Sequence, residues 1–474
     1  MNTLFKTLGR LAAASALISF SACADDDGSS APNTNDAATN SADLPSQVKC
    51  KGDICEIAAP ATNPIAKDLT LTADKKWLLK GGVLIGDDKT KTVLTIEAGT
   101  TVYGETSTKA FVAIRRHSQI MAVGTRDKPI VFTSSQPVGD RARGDWGGVV
   151  INGNATINGC DAAKSAAGCE AEGEGGTGKY GGADDKDNSG VIKYVRVEFA
   201  GHPITEDNEL NGIALQGVGS GTTIEHLQIH MAADDGIEFF GGTASFKYVL
   251  TTGVSDDNLD WTDGWRGKGQ FFVAQQYEDA GDNGIEADNN GDANDATPRS
   301  NPMLENLTLI GVETSSKSDM GLLLREGTGA SITNAVVIGW NDACLDIDHK
   351  ATYDNAMQGG KMTGGLVIKN SVFACKAPYE TDDEKDKAGN KKKDPWSLKD
   401  FIEKHNTGNE VGDAKTLLEK PFETTSPDFR PVKGSKAASG GLKAADSFFT
   451  PVTFRGAVDP ADDWTKGWTT SARK

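Results

Sequence analysis

The residues best suited to chemistry are carboxylates that recur at a fixed offset from an aliphatic residue. Ile237, Leu259, Ile285, Leu322 and Leu345 each follow an acidic or amide turn, in ADDGIEFFGG, SDDNLDWTDG, GDNGIEADNN, SDMGLLLREG and NDACLDIDHK. On an extended strand, residues two apart share a face. If the aliphatic points inward, the residues one and three further on point outward. These are Glu238 and Phe240, Asp260 and Thr262, Glu286 and Asp288, Leu323 and Arg325, and Asp346 and Asp348. Strands stacked about 4.8 Å apart would line them up as a ladder of carboxylates with Arg325 among them. Like charges that close raise one another's pKa unless a cation intervenes. Arg325 can relieve part of the repulsion, and a bound Ca²⁺ could relieve more. The competing reading is a solvated, salt-bridged ladder without a ligand.

Other groups are candidates for binding. The loop from Asp288 through Asn290 and Asp292 to Asp295 alternates oxygen ligands as Ca²⁺ takes them. It lacks the glycine at the sixth position and the distant glutamate of a complete calcium loop. Asp184, Asp185, Asp187 and Asn188 form a second acidic loop. Trp261, Trp265, Arg266 and Lys268 share the corner DWTDGWRGKG. Aromatic rings beside basic groups suit stacking on a sugar, and the same rings could instead pack under a neighbouring insertion. His226 and His230 are four apart on a strand and carry no assigned role. No phosphate-binding loop, nucleophile elbow or dinucleotide fingerprint is present.

The elements that would position these groups repeat. IKYVRV, IEHLQI, FKYVLT, LENLTL, ITNAVV and IKNSVF, starting at Ile192, Ile224, Phe246, Leu304, Ile332 and Ile368, alternate apolar and polar residues as strands with one inward face. The acidic turns follow most of them. In the earlier part of the chain, Ile96 aligns on Ile114 and Val102 on Ile120. Short strands, tight corners and variable repeat length predict an all-β fold, a single-stranded right-handed parallel β-helix whose coils bury their inward faces by stacking. The same-sense repeats speak against a β-sandwich. The solenoid is expected over 49–377, with an insertion at 159–189.

The phrases LTIEAGTTVYG, GTRDKPIVFTSS, GDWGGVVINGNA, NELNGIALQGVGSGT and FRGAVDPADDWTKGWT resemble those of bacterial secreted proteins and lipoproteins in the pectin-lyase-like right-handed parallel β-helix superfamily. The resemblance implies the fold over most of the chain and brings no activity with it. Pectate lyases of this architecture hold Ca²⁺ with stacked carboxylates and use an arginine as base. Asp260, Glu286, Asp288, Arg325 and Asp346 are similar to that kit in residue type. SDDNLDWTDG and NDACLDIDHK look like the polygalacturonase motif GDDCIAIKSG, but the Gly-His-Gly and Arg-Ile-Lys motifs of that family are absent. Because the Asp turn recurs at Asp234, Asp256, Asp282, Asp319 and Asp342, these residues are expected to be corner residues.

Residues 1–22 read as a lipoprotein signal peptide. Lys6 and Arg10 precede an apolar run, Leu11 to Phe20, far shorter than the roughly 20 residues a spanning helix needs. Phe20-Ser21-Ala22-Cys23 resembles a lipobox, which would make Cys23 the acylated (palmitate-bearing) first residue. An ordinary secretory signal is the alternative. Residues 23–48 read as a flexible tether. The absence of Asp directly after Cys23 favours the outer membrane by resemblance, on its periplasmic face or at the cell surface. Removing Cys23 leaves Cys50, Cys55, Cys160, Cys169, Cys344 and Cys375, an even set that fits an oxidising compartment. Fifteen pairings are possible, and near neighbours are the expected set.

The 474-residue chain carries 49 Lys+Arg against 67 Asp+Glu, a net charge of −18. That balance argues against a nucleic-acid partner. Residues 378–474 read as a charged linker, a short helix capped by Asp394 with Pro395 at its first position, and a tail. Phe448, Phe449, Phe454, Trp464 and Trp468 should pack that tail onto the coils. The expected function is non-enzymatic binding of a glycan or other surface component, with Ca²⁺ as a candidate cofactor. The alternatives are a calcium-dependent lyase or hydrolase of an acidic polysaccharide, and an accessory lipoprotein of an outer-membrane transporter.

Overall fold

The computed structural model describes residues 44–160, 168–205, 208–380, 384–385, 391–392 and 395–474. Cys23, the segment 1–22, most of the tether and Asp394 lie outside the described residues. Among the described residues no helix is long and apolar enough to cross a membrane.

The chain winds as a parallel β-helix with an 18-stranded and a 9-stranded sheet as walls. The repeats align as their sequence implies. Ile192 pairs with Ile224, Ile224 with Phe246, Leu304 with Ile332 and Ile332 with Ile368. Gly269 lies between Phe246 and Leu304, so the widest gap in the series hides a coil whose glycine breaks the motif. On the nine-stranded sheet Ile213, Ile237, Leu259 and Ile285 are in register. The early coils differ from expectation. Leu94, not Val102, pairs with Ile120, and Ile114 pairs with Ile85 and Ile151 on the other sheet. The two similar strings lie on different walls of the coil, so a step of shared pattern was not a step of the stack.

The interior is filled by the inward rows of both sheets. Trp265 stacks on Phe239 at 4.1 Å, and Trp261 lies beside it. Both tryptophans are fully buried in the main core. Their indole N–H groups are satisfied, Trp261 by Thr328 at 3.0 Å and Trp265 by the Ala244 carbonyl at 3.0 Å. This corrects their reading as a sugar platform, because a stacking ring needs an exposed face.

One column was not foreseen. Tyr194, His226, Tyr248, Phe271, Asn306, Asn334 and Asn370 all have positive φ, bending the long strands at the same place in successive coils. A left-handed non-glycine residue costs roughly 1–2 kcal/mol. Here the rings stack at 4.3, 4.5 and 4.9 Å between Tyr194, His226, Tyr248 and Phe271. Each stacked pair contributes about 0.5–1.5 kcal/mol, enough to offset much of that strain. The column continues as asparagine, which tolerates the conformation best. Asn370 donates to Asn334 at 2.8 Å.

The C-terminal tail runs back along this column. Phe449, Phe454, Trp464 and Trp468 are buried, and the last two pack edge-on against Tyr248 and Tyr194. Side-chain amides tie the tail's backbone. Asn334 exchanges two bonds with Leu442, Gln270 two with Thr450 and Gln228 two with Thr470, all between 2.7 and 2.9 Å.

The three near-neighbour disulfides are present: Cys50–Cys55, Cys160–Cys169 and Cys344–Cys375. The first crosses the antiparallel hairpin Val48–Lys51 and Ile54–Ile57 at the start of the stack. The C-terminal helix starts later than expected. Ser397 accepts the Asp400 N–H at 3.2 Å, capping Leu398–Asp400, which runs on into a π-turn at Phe401–His405. The apolar residues of this segment, Leu398, Phe401 and Ile402, lie in the core. Glu410–Val411 adds a further parallel strand beyond the expected boundary at 377.

The amide ties make a measurable contribution. Gln270→Ala leaves the N–H and C=O of Thr450 without their partners and should lower stability by about 1–3 kcal/mol. Urea unfolding and limited proteolysis of the tail check this. An unchanged midpoint and an uncut wild-type-like pattern would contradict it.

Candidate functional site

The outer face of the nine-stranded sheet changes character along the stack. Its first coils present Leu84, Ala113, Val150 and Ala214 in one row. The same row continues as Glu238, Asp260, Glu286, Leu323 and Asp346. The ladder read from the sequence is therefore real. The acidic turns stack beside it. Asp235 accepts the Asp257 N–H at 2.9 Å, Asp257 accepts the Asn283 N–H at 2.7 Å, and Asn283 accepts the Met320 N–H at 3.1 Å. An Asp or Asn is needed at each corner because its side-chain oxygen takes the N–H of the next coil.

Those corner carboxylates also converge with the ladder. Asp235, Glu238 and Asp260 bring oxygens within 4.8 Å of one another, as do Asp234, Asp235 and Asp256, and Asp256, Asp257 and Asp282. Asn211 donates to Glu238 at 2.5 Å. The side-chain amide oxygen of Asn211, itself buried, and one carboxylate oxygen of Asp260 have no hydrogen-bond partner among the described residues. Burial pushes the carboxyls of Asp235, Glu238, Asp257 and Asp260 far above their usual range, and their acidic neighbours push them further. Asp282 rises to about 6 through burial and the charges of Asp256 and Asp319. Charges crowded this way call for protons or a cation. The donors are all hard oxygens, which suit Ca²⁺ or Mg²⁺ and not a thiolate- or imidazole-seeking metal.

Arg325 stands at one end of this group. It pairs with Glu286 and, at 3.0 Å, with Asp288. Burial works against its charge, but Asp288 and Glu286 outweigh it and hold the guanidinium above its ordinary range. A guanidinium held this way keeps its proton more firmly than a free one, which does not favour the role of base. Asp346 lies on the ladder two strands from Glu286, roughly 10 Å away by strand spacing, with Leu323 between them. It does not join the cluster.

The expected calcium loop does not form a site. Asp288 is spent on Arg325. Asn290 accepts the backbone N–H groups of Asp292 and Ala293 and donates to Asn158, and Asp295 pairs with Arg299. Three of its four candidate ligands, Asp288, Asn290 and Asp295, thus face different partners, and the loop closes on itself through Asn290. Asp292 instead lines a cleft of ≈ 1260 Å³ beside the insertion. In the second acidic loop, Asp185 binds Arg266 at 3.0 Å and Asp187 accepts from Asn154 and Ser189. Lys268 pairs with Asp446 at 2.5 Å. The residues that converge most, Asp234, Asp235, Asp256 and Asp257, were visible in the sequence as the repeated Asp pairs. Their repetition argued for corners, and they prove to be corners and cluster at once.

A pectate-lyase-like beta helix domain model matches residues 63–469, and the chain belongs to that family. By sequence, no curated protein matches it. Among solved structures it is similar to pectate lyase Pel9A, with 14% identity over 82% of this chain and 88% of that one and a TM-score of 0.37. It is also similar to the PL6 family alginate lyase AlyGC, with 12% identity over 78% of this chain and 56% of that one and a TM-score of 0.26. The Dettilon tailspike protein matches at 11% identity over 76% and 66% of the two chains, with a TM-score of 0.23.

The raised carboxyls set a pH dependence. The folded cluster keeps protons that the unfolded chain releases near pH 4, so the unfolded state binds fewer protons and stability falls as pH rises. In chelator, the melting temperature should be highest near pH 4–5 and fall as pH passes through about 6, where Asp282 ionises, and above. Ca²⁺ should flatten that decline. Calorimetry across pH with and without chelator checks it, and a melting temperature that rises from pH 5 to pH 8 in chelator would contradict it.

Proposed function

We propose that this protein binds a carboxylate-bearing glycan along the acidic face of the nine-stranded sheet through Ca²⁺, without cleaving it. The observation that carries the reading is the convergence of Asp235, Glu238 and Asp260, with one oxygen of Asp260 and the side-chain oxygen of Asn211 buried and without a hydrogen-bond partner among the described residues. Bound there, the cation would neutralise the cluster and offer its remaining positions to sugar carboxylates. Asp235, Glu238 and Asp260 would hold it, and Asn211 would orient Glu238. The pairing of Arg325 with Glu286 and Asp288 favours binding over β-elimination, because the arginine keeps its proton.

The test is retention of the protein on immobilised polygalacturonate and alginate. We expect retention with Ca²⁺ and release by chelator, a loss of at least tenfold in Asp235→Asn and Glu238→Gln, and no rise in ultraviolet absorbance from unsaturated product. Retention unchanged by chelator overturns the cation's role. A steady absorbance rise lost in Arg325→Ala would replace this reading by the lyase.

The same proposal places the chain at the outer membrane, acylated at Cys23, on the ground of the lipobox-like FSAC. Labelled palmitate should attach to the wild type and not to Cys23→Ala. Labelling that persists in that variant would remove the anchor.

A further inference from the structure

The insertion carries a hairpin whose tip reads Gly-Glu-Gly-Gly-Thr-Gly, from Gly173 to Gly178, between the antiparallel strands Ala171–Glu172 and Lys179–Tyr180. The base of the hairpin is fixed. The Cys160–Cys169 disulfide closes one side of it. Tyr180 donates its hydroxyl to Asp263 at 3.0 Å and meets Phe240 edge-on at 6.2 Å. Phe240 lies two residues beyond Glu238 on one strand, and so on the same outward face. The tip is held more lightly. Asn152 donates to the carbonyls of Thr177 at 3.2 Å and Gly178 at 3.4 Å. Glycine at four of the six positions leaves the tip few side-chain contacts and a backbone of high conformational freedom.

Glu174 is the one charged residue of the tip, and it is aimed at the acidic face. Its turn, Glu174–Gly176, packs on the strand Asn208–Glu209. Its Oε2 is buried with no hydrogen-bond partner among the described residues. Burial and the charges of Glu209 and Asp263 hold its carboxyl above the usual range. Its own charge pushes up Glu238 and Asp234 in turn. Beneath the tip Gln216 is fully buried, and neither its amide oxygen nor its nitrogen has a partner among the described residues. A Cβ on Gly173 would stand 2.4 Å from that oxygen, so the amide points at the tip. The closed tip therefore brings a carboxylate from outside the sheet into a group of carboxylates, over polar atoms that nothing satisfies. Burying an unpaired carboxylate is costly, and a lightly held tip has little to offset that cost unless a cation meets it. Ca²⁺ takes roughly six to eight oxygens, so three sheet carboxylates leave room for one from the tip as well as for a ligand.

We propose that Glu174 is a ligand to the cation from outside the sheet, and that the tip Gly173–Gly178 is a flap that Ca²⁺ closes and chelator releases. This inference rests on the reading that the acidic face binds Ca²⁺.

The experiment is hydrogen–deuterium exchange of the full chain at neutral pH, in Ca²⁺ and in chelator, beside calorimetric titration with Ca²⁺. In the wild type, Ca²⁺ should slow exchange across 171–180 at least fivefold. Glu172→Gln, which changes the exposed glutamate of the same hairpin outside the tip, should respond as the wild type does. Glu174→Gln should bind Ca²⁺ at least threefold more weakly and show no slowing at the tip. A melting temperature in chelator no lower than the wild type's shows that its fold is intact, and the wild-type comparison needs no variant. Calcium binding by calorimetry with unchanged exchange across 171–180 would overturn the flap and leave the acidic face standing. A full response in Glu174→Gln would overturn the role of that residue. No binding heat with Ca²⁺ would overturn the flap and the acidic-face reading together.

Discussion

Parallel stacking places equivalent positions of successive coils side by side at strand spacing, and the rest of the molecule follows from that constraint. Whatever one coil presents, the next presents about 4.8 Å away. Where the repeated residue is aliphatic, the result is a continuous core. Where it is aromatic, rings stack, as at Tyr194, His226 and Tyr248. Where it is an amide, side chains bond along the stack, as Asn370 does to Asn334. A repeated carboxylate has no such self-complementarity. Asp235, Glu238, Asp257 and Asp260 are stacked, buried and mutually repulsive.

The fold accepts this repulsion because each corner acid also performs a backbone task. An Asp at the turn takes the N–H of the following coil, as Asp235 does from Asp257. Replacing it with an apolar residue would orphan that N–H, a cost of about 1–3 kcal/mol. The second oxygen is then delivered to the outer face with its neighbours. One residue type thus serves the architecture and builds an oxygen-rich site, and Arg325 closes one end of it through Glu286 and Asp288.

The coil repeats were legible because alternation and turn chemistry are local. Ile213, Ile237, Leu259 and Ile285 fell into register as their shared pattern implied. The near-neighbour disulfides were legible for the same reason. The early coils were not, because similar strings on different walls look alike in one dimension. The ladder residues Glu238, Asp260 and Glu286 were placed on the correct face by counting two residues at a time. Their partners in the cluster are hidden in the sequence because an Asp that recurs at every corner looks the same whether it serves only the backbone or also converges with its neighbours. Trp261 and Trp265 failed as a binding platform because nothing local distinguishes an inward ring from an outward one at a corner. Phe448 could not be placed beside Lys247 from sequence, since the tail that brings them together returns from about two hundred residues away. The same applies to the amide ties of Gln228 and Gln270.

The central claim is that the stacked carboxylates are completed by a divalent cation. The most direct measurement is anomalous X-ray scattering from crystals grown with Ca²⁺ near neutral pH. The account predicts a peak shared by Asp235, Glu238 and Asp260. Crystals that show these carboxylates hydrogen-bonded directly to one another as protonated pairs, with no peak at saturating Ca²⁺, would contradict it.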